Sequence, residues 1–138
     1  PTFLLRAVKD PVGANLDRIQ MSKGWLDEAG KQHETIYNVA WSDGRALDVK
    51  GELPSVGSTV DLNTGRHSNI IGASELSVMW EDPDFNSAQQ AFYYSRVLQI
   101  PTARHSLFDA IALQSIDLDN GPSTIQERAY SSPIWYTP

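Results

Sequence analysis

Three histidines, His33, His67 and His105, are the first side chains in this chain that could bind a metal or move a proton. No two of them share a His-x-His or His-Glu-x-x-His spacing, so no zinc-type motif forms along the sequence. His33 follows the turn Gly30-Lys31-Gln32, and His67 lies in Gly65-Arg66-His67-Ser68-Asn69. Surface-loop positions account for both. His105 follows Arg104 inside a long connection and is a candidate for touching a ligand or a neighbouring domain. Cysteine is absent, which removes disulfides, thiolate nucleophiles, Cys-bound zinc and iron–sulfur clusters together.

Two acidic clusters could hold calcium: Glu81, Asp82 and Asp84, and Asp117, Asp119 and Asn120. Calcium takes about six to eight oxygens arranged around a turn. Asp117-Leu118-Asp119-Asn120-Gly121 begins like such a loop, but its glycine comes early and no closing Glu stands at the required distance. Both clusters are expected to be solvated acidic turns. Gly24 to Gln32 faintly resembles a phosphate loop, with one residue too many between Gly24 and Gly30 and Gln32 where Ser or Thr should meet magnesium. Gly72-Ala73-Ser74-Glu75-Leu76 starts like a nucleophile elbow and lacks the final glycine. No catalytic residue, metal ligand or cofactor is assigned.

The arginines carry the remaining chemistry. Arg96 falls on the stripe Phe92, Tyr94, Leu98, which reads as core-facing. A buried unpaired guanidinium is costly, so a partner is required. Glu127 or Asp109 near the sheet edge would serve, and the alternative is an Arg presented to an anionic group. Arg128 sits in Gln126-Glu127-Arg128. The candidate ligand or interdomain residues are therefore Arg96, Arg104, His105 and Arg128. Trp side chains mostly sit on apolar stripes and read as core; Trp135 and Tyr136 are the least committed to it.

The elements that must position these residues are strands. Ile19, Met21, Lys23 and Trp25 alternate with Gln20, Ser22 and Gly24. Tyr37, Val39 and Trp41 do the same, as do Leu76, Val78 and Trp80, and the run from Phe92 to Ile100. Period-2 alternation of aromatic and β-branched residues is what a half-buried pleated surface selects. Phe3 to Val8, Val56 to Leu62 and Gln126 to Tyr136 are further strand candidates. Turns separate them at Asp10-Pro11-Val12-Gly13, Asp27 to Gly30, Ser42-Asp43-Gly44, Asn63-Thr64-Gly65 and Asp82-Pro83-Asp84. About seven strands joined this way predict an all-β, antiparallel β-sandwich of immunoglobulin or fibronectin type. One short helix is expected over Leu107 to Ile116, opened by a capping box at Ser106-Leu107-Phe108-Asp109, within a long connection from Pro101 to Thr124.

The chain has 138 residues and 15.3 kDa, the size of one domain, here residues 1–138. It opens at Pro1 rather than Met, and reads as a fragment of a longer protein whose targeting signal lies elsewhere. No window approaches the ~20 apolar residues of a membrane span. The net charge is −6, with Lys and Arg scattered singly, which disfavours phosphate backbones and argues against nucleic acid.

Several stretches match a known pattern from end to end. They include Lys9-Asp10-Pro11 with Gly13 to Gln20, Lys23-Gly24-Trp25, Val39-Ala40-Trp41-Ser42, and Val56-Gly57 with Thr59-Val60-Asp61. Trp80 with Asp82-Pro83-Asp84-Phe85, Phe92-Tyr93-Tyr94 with Arg96-Val97-Leu98, and Ile100-Pro101-Thr102 continue it. The closing run Ile125 to Tyr136 is the most specific part. The whole resembles the C-terminal segment of a large bacterial family, DUF3604. The resemblance implies longer, often exported proteins, periplasmic or secreted, whose N-terminal part is similar to PHP-type metal-dependent phosphoesterases. The metal ligands would lie in that upstream part, and none carries over to this chain.

Three functions follow as expectations. The first is a non-catalytic accessory domain that docks on the catalytic part of a larger metal-dependent hydrolase, through an exposed apolar patch. The second is a ligand-binding module for carbohydrate, which needs aromatic faces side by side with amide or acid groups. The third is a domain that completes the parent's active site with Arg96, Arg104 or Arg128. The upstream domain is the expected partner, and a homo-oligomer is left open.

Overall fold

Strands form where the alternation predicts them, and their pairing makes two unequal layers. The structure, a computed structural model, describes residues 1–114 and 121–138. The expected acidic cluster Asp117, Asp119 and Asn120 lies outside the described residues. The larger layer is a five-stranded antiparallel sheet built on β2 (Leu16–Leu26). β3 (Gln32–Trp41) lies on one side of it and β5 (Ala91–Gln99) on the other. The smaller layer is the pair β1 (Thr2–Val8) and β4 (Glu75–Glu81), in continuous register from Thr2↔Glu81 to Val8↔Glu75. The fold is sandwich-like and mostly β, as expected.

The core lies between the layers. Leu16, Ile19, Met21, Val39, Leu76, Ala91 and Tyr93 are buried there, with Phe3, Leu5, Trp25, Val78 and Trp80 packed against them. Phe3 joins the layers directly, with its ring 5.9 Å from Trp80 and 4.9 Å from Tyr93. Each such side chain removes roughly 1.5–3 kcal/mol worth of apolar surface from water, which is what holds a two-stranded ribbon on a sheet.

The face of β5 is the reverse of the sequence expectation. Ala91 and Tyr93 point into the core, and Phe92, Tyr94, Arg96 and Leu98 take the other side. Both stripes of β5 are apolar enough to be buried, and a one-residue choice flips every side chain. Tyr93 can be the buried one because its hydroxyl donates to Asp82 at 2.7 Å.

The far edge of β5 is split. β9 (Ile134–Tyr136) pairs with Ala91–Tyr93, and β8 (Arg128–Tyr130) pairs with Arg96–Leu98. Between them Ser131 bridges the gap: its N–H donates to Ser95 O at 3.0 Å and its Oγ accepts from Ser95 N–H at 2.9 Å. Pro133 has no N–H to offer a ladder, so one continuous strand cannot form there. Beyond β5 the two-residue strands β6 (Thr102–Ala103) and β7 (Thr124–Ile125) form a short ribbon that carries the helix α1 (His105–Ala112). The helix begins two residues before the expected Leu107. Its N-cap is Arg104 with no side-chain cap, so the Ser106 capping box does not form.

Val56 to Leu62 is not a strand. Residues 43–72 run irregularly, with Gly51, Gly57, Gly65 and Gly72 at positive φ and aspartate turns at Asp48 and Asp61. Gly72 is required: at φ +78° a Cβ would lie 2.7 Å from both Asn15 Cβ and Ile100 Cγ2. The segment is tied down at Asp17, which is fully buried. Its carboxylate accepts from Arg45 Nη2 at 2.5 Å, Arg18 Nε at 3.0 Å and Gln126 Nε2 at 2.8 Å. Asn15 completes the tether, bonding Asn69 and the carbonyls of Ile71 and Gly72.

Candidate functional site

The outer face of the larger sheet carries three cross-strand rows set by register. Asn38, Gln20, Arg96 and Tyr130 form one; Ile36, Ser22 and Tyr94 the next; Glu34, Gly24, Phe92 and Trp135 the third. The first row is a polar relay. Gln20 Nε2 donates to Asn38 Oδ1 at 2.9 Å, and Arg96 Nε and Nη2 donate to Gln20 Oε1 at 2.9 and 2.6 Å. The expected ion pair of Arg96 with Glu127 or Asp109 does not form. On the outer face Arg96 is only half-buried, so an amide acceptor suffices in place of a carboxylate. Arg96 and Arg128 converge on the Tyr130 phenol. Desolvation raises that phenol, and the two nearby guanidiniums outweigh it, leaving it below its ordinary pKa.

Together the three rows put four rings in sequence across the face. Trp135 lies 5.2 Å from Phe92, Phe92 lies 6.3 Å from Tyr94 at 9°, and Tyr94 lies 6.2 Å from Tyr130. Trp135 is 71% exposed and Tyr130 55%. At the hairpin end of the sheet the row opens into a groove of about 700 Å³, lined by Gly24, Leu26, Gln32, Glu34, Phe92 and Trp135 among others. Gly24 makes it: a Cβ there would fall 2.4 Å from the Phe92 ring, so only glycine lets Phe92 lie on the strand.

Behind the sheet, the expected acidic turn at Glu81, Asp82 and Asp84 is corrected. Asp82 is 4% exposed. Its Oδ2 stands 2.6 Å from Lys23 Nζ and accepts from Tyr93, while Lys23 also donates to Asp84 O at 2.8 Å. Tyr37 donates to Asp84 Oδ2 at 2.7 Å. The carboxylate is already neutralised by an ammonium, which leaves it no charge to spend on a cation. Among the described residues no three His, Asp or Glu side chains group to hold a metal. His33 is not a free loop histidine: it sits on β3, stacked on Trp25 at 5.3 Å, with Nε2 2.8 Å from Asp27 Oδ2.

At the other end of β5, Arg104 Nη1 donates to Pro122 O at 3.3 Å, and Arg104 N–H to Ser123 O at 2.9 Å. His105 is exposed, 4.0 Å from Asp109 one turn along α1. The four sequence-derived candidates thus fall into two pairs: Arg96 with Arg128 at Tyr130, and Arg104 with His105 at the start of α1. Among the described residues, no helix is long and apolar enough to cross a membrane.

The chain matches the family model described as "Protein of unknown function (DUF3604)" over residues 1–138. It belongs to the DUF3604 family. No curated protein and no solved structure matches it. That description assigns no reaction, so a function for this DUF3604 domain has to be argued from its surfaces. Glu34, Phe92 and the pairing of Phe92 with Trp135 were not singled out from sequence as a site. Gly24, a small residue inside an otherwise bulky strand, was the available signal, since such a glycine marks close approach of another group.

Proposed function

We propose that this DUF3604 domain is a non-catalytic accessory domain that docks on the catalytic part of a larger metal-dependent hydrolase. The docking surface is the end of the sheet formed by β6, β7, α1 and β8. One observation carries this reading: no described residue beyond Ile100 is buried. Phe108, Leu113, Ile125 and Tyr130 are 47%, 68%, 39% and 55% exposed, and α1 is amphipathic with no buried residue. An amphipathic helix has one apolar side to cover, and the described residues cover it only in part: Leu107, Ala110 and Ile111 are half-buried and the Phe108 ring rests on Gly65.

The total area agrees. The chain exposes 8787 Å². A monomeric protein of this mass exposes about 7,100 Å², so the excess is about 1,700 Å². Interfaces between domains of one chain remove roughly 600–1,500 Å². The hydrolase class of the parent rests on the resemblance of the family's N-terminal part to PHP-type phosphoesterases.

Hydrogen exchange on this chain alone and within the longer protein tests the docking. Slower exchange over residues 102–113 and 124–130 in the longer protein is the expected result, and equal exchange in both refutes it. The non-catalytic half is tested by metal content and by a screen of phosphoesters and sulfate esters. Metal and turnover are expected in the longer protein alone. Metal or turnover in this chain would place the site here instead.

A further inference from the structure

We propose that the groove at the hairpin end of the outer sheet binds a neutral carbohydrate. It lies at the opposite end of β5 from the docking surface, so the two sites are independent. Its two aromatic walls, Phe92 and Trp135, meet at 46° with centroids 5.2 Å apart. The Phe92 ring lies on the backbone of Gly24 and buries it, which sets Phe92 low in the groove. A volume of about 700 Å³ suits a small ligand of more than one ring.

The rim decides the chemistry. Gln32, Glu34 and Gln90 line the groove, and their side chains make no hydrogen bond or ion pair among the described residues. No Lys or Arg lines it, and His33 is engaged with Asp27 and Trp25. A free carboxylate without a cation repels phosphates, sulfates and acidic sugars. A purely apolar ligand would bury two amides and a carboxylate without partners, which is costly. A pyranose ring meets both demands. Its C–H face lies on an aromatic ring, and its hydroxyl edge donates to Glu34 and exchanges hydrogen bonds with the two amides.

The Tyr94 ring, stacked 6.3 Å from Phe92, extends the aromatic surface beyond the groove. A linear oligosaccharide therefore fits better than a single sugar. Titration of this chain with cellohexaose, xylohexaose, mannohexaose and maltohexaose, followed by calorimetry and tryptophan fluorescence, tests the proposal. Polygalacturonate and heparin serve as anionic comparisons. Saturable binding of at least one neutral oligomer is expected, together with a change in tryptophan emission. Trp135→Ala should weaken it about tenfold, the scale of one lost aromatic stacking contact. Glu34→Gln, exposed and isosteric, should weaken it several-fold, and Leu4→Ala on the other layer should leave it unchanged. Binding by none of the four neutral oligomers overturns the proposal. So does binding confined to the anionic polymers, or binding that survives both Trp135→Ala and Glu34→Gln.

Discussion

Replacing Asp82 by Asn should destabilise this domain more than any surface change. Lys23 and Asp82 are 3% and 4% exposed, and their charged atoms are 2.6 Å apart. The ammonium also lies over the rings of Trp25 and Tyr93, at 5.3 and 5.9 Å. The substitution keeps the volume and removes the charge, so the ammonium stays buried against a neutral amide. Breaking one side of a buried pair costs about 3–5 kcal/mol, against a total of roughly 5–15 kcal/mol for a domain. With a urea slope near 2 kcal/mol/M, the unfolding midpoint should fall by about 2 M at pH 7.

The pH dependence provides a second readout. Burial raises the Asp82 carboxyl, and hydrogen bonds from Lys23 and Tyr93 with the charge of Lys23 overcome it, so the net shift is downward from 3.8. A carboxyl lowered on folding stabilises above its unfolded pKa and loses that contribution as pH falls through the folded value. The gap between native and Asp82→Asn midpoints should therefore be full at neutral pH and narrow below about pH 4. A midpoint shift under about 0.5 M at pH 7, which is about 1 kcal/mol at that slope, would refute the reasoning. A gap that stays constant down to pH 2 would refute it equally.

Two other substitutions probe buried polar groups of opposite kind. Ser22 Oγ is buried beneath the outer face and has no hydrogen-bond partner among the described residues. Ser22→Ala removes that unpaired group and should raise stability by about 1 kcal/mol in urea unfolding; a loss of that size would mean that the hydroxyl has a partner. Asp17→Ala leaves Arg45, whose side chain is only 10% exposed, without its carboxylate and should lower stability by about 3–5 kcal/mol. Limited proteolysis of that variant should cut first within residues 43–72; cleavage no faster than in the native chain would show that Asp17 does not hold that segment.

Much of the fold was legible because alternation is a local property. β1, β2, β4 and β5 stand where Phe3 to Val8, Ile19 to Trp25, Leu76 to Trp80 and Phe92 to Ile100 predict them. Proline and glycine placed the turns. The strand expected over Val56 to Leu62 failed because nothing pairs with it, and pairing is not local. Gln126 to Tyr136 became two strands because Ser131-Ser132-Pro133 interrupts the ladder.

The candidate site was less legible, for the same reason. Residue types and spacings determined that the chain is β-rich, lacks thiol chemistry, and carries Arg96 and Trp135 at positions worth testing. They did not determine which stripe of β5 faces the core. That choice depends on Asp82, which arrives from β4's end to satisfy the Tyr93 hydroxyl. Nor could sequence bring Glu34, Gly24, Phe92 and Trp135 into one row, since they come from four strands. Register between strands is set by how both layers bury their apolar faces at once, and only the tertiary structure solves that condition.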